Sequence, residues 1–209
     1  MRKALIGIVL LVFAQFSQGG AYEDIISAAN SGDTPKVLDL LKRGMDVNTT
    51  DRNGSTLLMI AARNGNRTLL EALLANRANI NRRNQFGDTA LLLAVLKGPI
   101  EVVQVLIDKG ADLNPSGWTP LHYAMFRGSR EIAGLLFAKG AQLDARAPNG
   151  QTPLMLAVRL GKLDLVDLLI EADADMDLVD YEGISALRLA QKLGHQDIAT
   201  YLRKAGAIE

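Results

Sequence analysis

The sequence predicts an all-α fold built from a repeated pair of short helices. The evidence is a set of glycines at nearly equal intervals, each followed two residues later by threonine or serine. Glycine can take the positive φ that a tight turn requires, and threonine or serine is a good N-cap for the helix that follows. The steps between these glycines are 33, 30, 33 and 33 residues, and the glycines are Gly54, Gly87, Gly117, Gly150 and Gly183.

The clearest unit follows Gly117 and shows how each helix is specified. Thr119 stands at the predicted N-cap, and Pro120 stands at the first helical position, where its missing N–H costs nothing. Gly128 ends this first helix. A second helix is predicted after it, with apolar residues spaced three and four apart on one face until Gly140.

This pattern resembles the ankyrin repeat. The repeat of residues 119–124 reads Thr-Pro-Leu-His-x-Ala, and the period is close to 33 residues. The resemblance covers residues 22–209 and implies an all-α ankyrin-repeat solenoid of six helix-turn-helix units, with short β-turn fingers and terminal units as caps. The expected boundaries are an N-terminal cap repeat at 22–52, four central repeats at 53–182 and a C-terminal cap repeat at 183–209.

Residues 1–21 are predicted to be a secretory signal peptide. Arg2 and Lys3 precede an uncharged, mostly apolar run, and small residues follow it. The run is shorter than the stretch of about 20 apolar residues that crosses a bilayer. Cleavage is expected after Gly19 or Ala21, and the alternative is a helix that stays on the protein. The short basic start is typical of bacteria, so the predicted localisation is the periplasm, with secretion as the alternative.

Two irregularities are visible in the repeats. Second helices should end at a left-handed residue; glycine suits this position in four units, but Arg77 and Asp173 occupy it in the other two. Each should lower the free energy of unfolding by about 1 kcal/mol there, because a side chain disfavours the left-handed conformation. The finger before Trp118 is also short, because Asn114 reaches Gly117 in three residues where other repeats take six.

Catalytic and metal-binding patterns are weak. The chain has no cysteine, and its two histidines, His122 and His195, fall in different repeats. In ankyrin repeats the histidine of Thr-Pro-Leu-His bonds within its own turn, so the resemblance implies a structural His122. The acidic run 171–182 begins like a calcium loop, but Leu178 and Ile184 replace the glycine and glutamate that such a loop needs. We therefore expect a protein that is not an enzyme and has no cofactor or metal.

The charge is balanced overall but uneven along the chain. The formal net charge is zero, which gives no general attraction to nucleic acid or anionic lipid. Residues 42–83 are mainly basic, whereas residues 164–182 contain eight acidic residues and no basic one. This asymmetry could orient a partner of complementary polarity, or it could be a solvated surface with no partner.

The resemblance implies binding through turn tips and through the exposed ends of the first helices. Aromatic and arginine side chains in the middle of a surface are typical of interface hot spots. The alternative for Trp118 and Phe126 is that they merely cover the gap left by the short finger. The predicted protein-binding residues are Arg63, Arg83, Phe86, Leu96, Trp118, Phe126, Arg127, Arg159 and Tyr181.

The predicted function is therefore that of an exported, monomeric, non-enzymatic module that binds a protein partner through its concave face and turn tips. No nucleic-acid partner and no stable membrane insertion after signal cleavage are expected. The alternatives are a periplasmic inhibitor or immunity protein, an accessory factor for an enzyme such as catalase, and a secreted effector. The residues leave these alternatives, and the identity of the partner, open.

Overall fold

The computed structural model describes residues 20–208, which contain twelve helices and no strand. The predicted signal peptide lies outside the described residues except for its last two positions. The described residues form two compact units that divide between residues 90 and 91. The all-α fold of helix pairs is confirmed, while the exact limits of the caps and central repeats stay a prediction.

The helices of the first unit are α1 (residues 20–31), α2 (Thr34–Lys42), α3 (Leu57–Arg63) and α4 (Arg67–Ala75). Helix α5 (Ala90–Lys97) begins at the last residue of this unit. The second unit continues with α6 (Ile100–Asp108), α7 (Pro120–Arg127), α8 (Arg130–Ala138), α9 (Pro153–Arg159), α10 (Leu163–Glu171), α11 (Ala186–Leu193) and α12 (Gln196–Ala205).

The first helices of the repeats start at the predicted N-caps. The side-chain oxygen of Thr119 accepts from the backbone N–H of His122, and that of Thr152 accepts from Met155. Thr56 and Ser185 cap α3 and α11 in the same way. These bonds satisfy amides that have no partner inside the helix, so a residue type read from the sequence sets where these four helices begin.

The second unit is built in two layers. Helix α9 lies between α7 and α11 in one layer, and α10 lies between α8 and α12 in the other. Leucines and alanines at helical spacing fill the space between the layers, and Leu121, Ala124, Leu154 and Leu165 are buried. The exposed ends of the first helices are thereby held on a rigid base.

Neighbouring repeats are joined by a side chain that accepts a backbone N–H from the next repeat. Asn48 accepts from Asn79 at 2.8 Å, and Asp144 accepts from Asp175 at 3.0 Å. The same bond joins Asn114 to Gln142 and Asp177 to Ile208. The amide or carboxylate at this position therefore sets the register between successive repeats within a unit.

In two of the full-length fingers a second carboxylate, Asp51 or Asp180, closes the turn. Asp180 accepts from the backbone N–H groups of Glu182 and Ile184, at 2.9 and 3.0 Å. In the short finger Asn114 stands three residues before Gly117, as Asp180 does before Gly183. The side chain of Asn114, however, already binds the backbone of Gly140 and Gln142. In the short finger a single residue, Asn114, therefore occupies both positions. Its side chain contacts the next repeat instead of closing the turn.

The two expected left-handed positions are confirmed. Arg77 has φ 63° and Asp173 has φ 65°. Each closes the end of a second helix, where Ala78 and Ala174 donate back to Leu73 and Leu169. The bonds require the left-handed conformation, so these side chains are held there at a cost in backbone energy.

Replacing Asp173 with glycine should raise the free energy of unfolding by about 0.5–1 kcal/mol, because glycine removes the left-handed strain. Chemical denaturation of the two proteins measures this change. Ala172→Gly is the matched control: Ala172 has φ −91°, so glycine there should destabilise the protein instead. Equal effects at the two positions would contradict the explanation.

Candidate protein-binding cleft

A cleft of about 570 Å³ opens in the second unit along the ends of α5, α7 and α9. It starts beside the short finger and is bounded on one side by the tip of the next finger, at Asn149. Its lining residues are Leu96, Trp118, His122, Tyr123, Phe126, Asn149, Gln151, Leu156, Arg159 and Leu160. Most of these side chains are apolar or aromatic, which is typical of a recognition site.

Two aromatic side chains in the cleft are exposed to solvent. Phe126 is 63% exposed and Trp118 is 39% exposed. The indole of Trp118 meets the His122 ring edge-on, with centroids 5.4 Å apart and planes at 80°. Trp118 is therefore partly held by a buried neighbour, whereas Phe126 presents most of its surface to water.

His122 forms the floor of the cleft and is fully buried. The backbone N–H of Thr119 donates to Nδ1 of His122 at 3.3 Å, and Nε2 lies 3.1 Å from the carbonyl oxygen of Gln151. A carbonyl can only accept, so Nε2 carries the proton and the ring is neutral. The imidazole thus joins one repeat to the next, which confirms the structural role that the resemblance implied.

Burial lowers the pKa of His122 below its ordinary value, and the hydrogen bond to the carbonyl of Gln151 offsets part of this effect. In the unfolded chain the imidazole takes up a proton near pH 6.5. The folded protein resists this proton until a lower pH. Its stabilising contribution is therefore complete above about pH 6.5 and is lost as the pH falls through that value towards the folded pKa.

Chemical unfolding at pH 7.5 and at pH 5.5 should show this loss, with a slope of at most about 1.4 kcal/mol per pH unit. His122→Gln is the control, because glutamine does not titrate and can still reach the N-cap amide of Thr119. We expect a smaller difference between the two pH values in the variant. The same pH dependence in both proteins would assign the effect to other groups.

One arginine, Arg159, lines the cleft, and a second, Arg127, follows Phe126 at the end of α7. The guanidinium of Arg159 lies against the side-chain amide of Gln151, whose oxygen can accept from it. Nη1 of Arg127 donates to the carbonyl oxygens of Val95 and Gly98, at 2.9 and 2.7 Å. These carbonyls lie at the end of α5, so Arg127 ties the preceding repeat to its own.

The structure brings four of the nine predicted binding residues into this cleft: Leu96, Trp118, Phe126 and Arg159. Arg127 follows Phe126 in the sequence but does not line the cleft. Tyr181, on the last finger, is 71% exposed and covers Gly150. The other three, Arg63, Arg83 and Phe86, belong to the first unit. There Phe86 is exposed at a turn tip, and Arg63 donates to the side chain of Asn30 at 3.2 Å.

Four further residues of the cleft were not predicted from the sequence: Tyr123, Asn149, Gln151 and Leu156. Each looks ordinary in its own repeat, since Leu156 is a core residue and Asn149 is a turn residue. They join the cleft because consecutive repeats place equivalent positions side by side. Reading the positions beside Trp118 one repeat further along the chain would have indicated Asn149 and Gln151.

The acidic side chains of residues 171–182 make contacts within the fold. Asp175 accepts from the backbone of Asp177, and Asp180 closes its finger as described above. Arg130 lies within 4 Å of both Asp167 and Glu171. Residues 20–208 contain no group of three or more histidine or acidic side chains placed to hold a metal ion. The observed contacts match those of repeat positions rather than those of a calcium loop.

Among the helices of residues 20–208, none combines the length and the apolar character that crossing a bilayer requires.

The paired layers, the capped first helices and the exposed cleft define a helical-repeat protein with an interaction surface. The chain matches the family model of ankyrin repeats (3 copies) over residues 25–116, 58–147 and 142–208. It therefore belongs to the ankyrin-repeat family, and the predicted ankyrin-repeat solenoid is confirmed as its fold class. Ankyrin repeats are general protein–protein interaction modules and are typically not enzymes. A search of the curated proteins found no match.

Proposed function

We propose that this protein is an exported, non-enzymatic adaptor that binds a partner protein through the cleft of its second unit. The observation that carries the proposal is the exposure of Phe126 and Trp118 around a cleft of about 570 Å³. Apolar side chains of this size are normally buried, and an exposed aromatic pair beside arginine is the usual composition of an interface hot spot.

The fold supports this use of the cleft. Its walls come from the ends of packed helices, so little ordering of the binding surface is needed when a partner docks. Arg127 and His122 lock neighbouring repeats on either side of Phe126 through hydrogen bonds. A preorganised surface retains more of its contact energy as affinity.

Replacing Phe126 with alanine should abolish capture of the partner from a periplasmic extract, because a hot-spot side chain is removed. The melting temperature should change by no more than about 2 °C, because Phe126 is mostly exposed. Affinity capture with the tagged protein, followed by mass spectrometry, measures the first, and thermal unfolding measures the second.

Leu193→Ala is the matched control, since Leu193 is an exposed apolar residue at the end of α11 and does not line the cleft. It should leave capture intact. Trp118→Ala should also abolish capture, with some loss of stability from its contact with His122. Unchanged capture with a large loss of stability in both cleft variants would favour the covering role for the aromatic pair.

Export is the second part of the proposal. It is supported by the basic start, apolar run and small residues of positions 2–21. Cell fractionation and the mass of the mature chain test it: we expect a periplasmic protein cleaved after Gly19 or Ala21. An uncleaved cytoplasmic chain would refute export and leave binding through the cleft untouched.

An inhibitor would use the same cleft. An activity assay of the captured partner distinguishes an inhibitor from a neutral adaptor.

A further inference from the structure

The two layers of the second unit carry opposite charge. The first helices α5, α7, α9 and α11 contain no aspartate or glutamate, and their basic residues are Lys97, Arg127, Arg159, Arg188 and Lys192. The second helices are acidic in sum, with three basic residues, Arg130, Arg203 and Lys204, against the acidic residues Glu101, Asp108, Glu131, Asp164, Asp167, Glu171 and Asp197. The layer that forms the cleft is therefore positive.

Helix dipoles account for part of this difference. Basic residues in the last turn of a helix offset its negative end, and acidic residues in the first turn offset its positive end. The second helices follow the rule at their start, with Glu101, Glu131, Asp164 and Asp197 in their first turns. The first helices have no acidic residue in theirs. The dipole rule also fits the basic residues in the last turns of the first helices, which are Lys97, Arg127, Arg159 and Lys192. Residues in the first turns of these helices, such as Leu121, Leu154 and Leu187, are buried, which disfavours a carboxylate there.

The cleft itself has the same character. None of its lining residues is acidic, and Arg159 is the lining residue with a permanent charge. Arg127 does not line the cleft, but two backbone carbonyls at the end of α5, the helix that contributes Leu96 to the cleft, hold its charge in place. An apolar cleft with fixed positive charge at its rim complements a ligand that carries both a large apolar group and negative charge.

We propose that the cleft takes an acidic segment of the partner, which inserts one large apolar side chain beside Phe126 and Trp118 and places a carboxylate on Arg159. This inference rests on the proposed function, because it specifies the partner of the same cleft. The guanidinium is planar and can bind a carboxylate through two parallel hydrogen bonds. Its position against Gln151 sets the distance between the charged contact and the apolar one.

The test uses a random peptide library displayed on phage and selected on the immobilised protein. Selected sequences should contain aspartate or glutamate within a few residues of phenylalanine, tyrosine or leucine. Trp118 is the one tryptophan of the chain, so its fluorescence reports binding directly when the synthetic peptides contain none. Binding should shift its emission to shorter wavelength, because the apolar side chain displaces water from the indole.

Arg159→Gln should raise the Kd of the selected peptides about tenfold, because a charge-assisted contact is lost. Phe126→Ala should weaken binding by a similar or larger factor. Arg188→Gln is the matched control, since Arg188 is a basic residue of α11 that does not line the cleft, and it should leave the Kd unchanged. Raising the salt concentration should weaken binding to the unmodified protein.

Failure to select peptides, or selection of basic or uncharged sequences, would overturn the inference. So would binding of acidic peptides that Arg159→Gln and Arg188→Gln weaken equally, because attraction would then be general to the surface. The proposed function would survive these results if capture of the partner still depended on Phe126. It would fail if capture were independent of Phe126, whatever the peptides show.

Discussion

Replacing Gly150 with alanine is expected to lower the free energy of unfolding by about 3 kcal/mol. A Cβ at this position would lie 2.7 Å from the backbone nitrogen and from the ring carbon Cδ1 of Tyr181. Gly150 also has φ +79°, a conformation that costs an alanine about 1–2 kcal/mol. Because the backbone of the next finger cannot move aside easily, strain and steric overlap add. Urea denaturation measures the loss.

Gly183→Ala separates the two contributions. Gly183 occupies the same place in the next finger with φ +74°, and an added Cβ would meet nothing within 4 Å. This variant should lose about 1–2 kcal/mol, which is the conformational cost alone. Equal losses in the two variants would show that Tyr181 does not constrain Gly150. The comparison also tests how firmly neighbouring finger tips are held together.

Replacing His122 with alanine should cost about 4 kcal/mol of unfolding free energy. The side chain is fully buried, so its removal leaves a cavity of the kind that costs about 2–5 kcal/mol. It also leaves the Thr119 N–H and the Gln151 carbonyl without their imidazole partner. The emission spectrum of Trp118, which contacts the same ring, reports the change at the cleft.

The other histidine of the chain provides the control. His195 is half-buried, precedes α12 as its N-cap residue and lies over Gly161. Its replacement by alanine should cost about 1 kcal/mol, since it makes no side-chain capping bond and water can fill its place. A loss at His195 as large as that at His122 would contradict the assignment of His122 as the link between repeats.

Local features of the fold could be predicted from the sequence because they depend on a few neighbouring residues. Thr119 and Thr152 are good N-caps wherever a helix follows them, and the structure shows both in this role. Arg77 and Asp173 were expected to be left-handed because glycine stands at their position in other repeats. The role of His122 followed from the family resemblance rather than from spacing.

Contacts between repeats were harder to predict. Arg127 reaches Val95 and Gly98, about one repeat back along the chain, and Arg130 reaches Asp167 about one repeat forward. Nothing in the local pattern distinguishes these arginines from others on an exposed helix face. The cleft is of the same kind, because three helices and a finger must come together before its walls exist. These contacts and the cleft depend on the distance between neighbouring repeats in the folded protein. The period of the sequence indicates that distance only approximately.

Natural variants of this chain should be compared by the length of the shortened finger as well as by their residues. The exposure of Trp118 accompanies a loop three residues shorter than the others, so loop length is as informative there as residue identity. An in-frame insertion of three codons beside Pro115 would restore the common repeat length and extend the finger next to the aromatic pair. A lineage with that insertion could keep every side chain of the cleft and still have changed its partner.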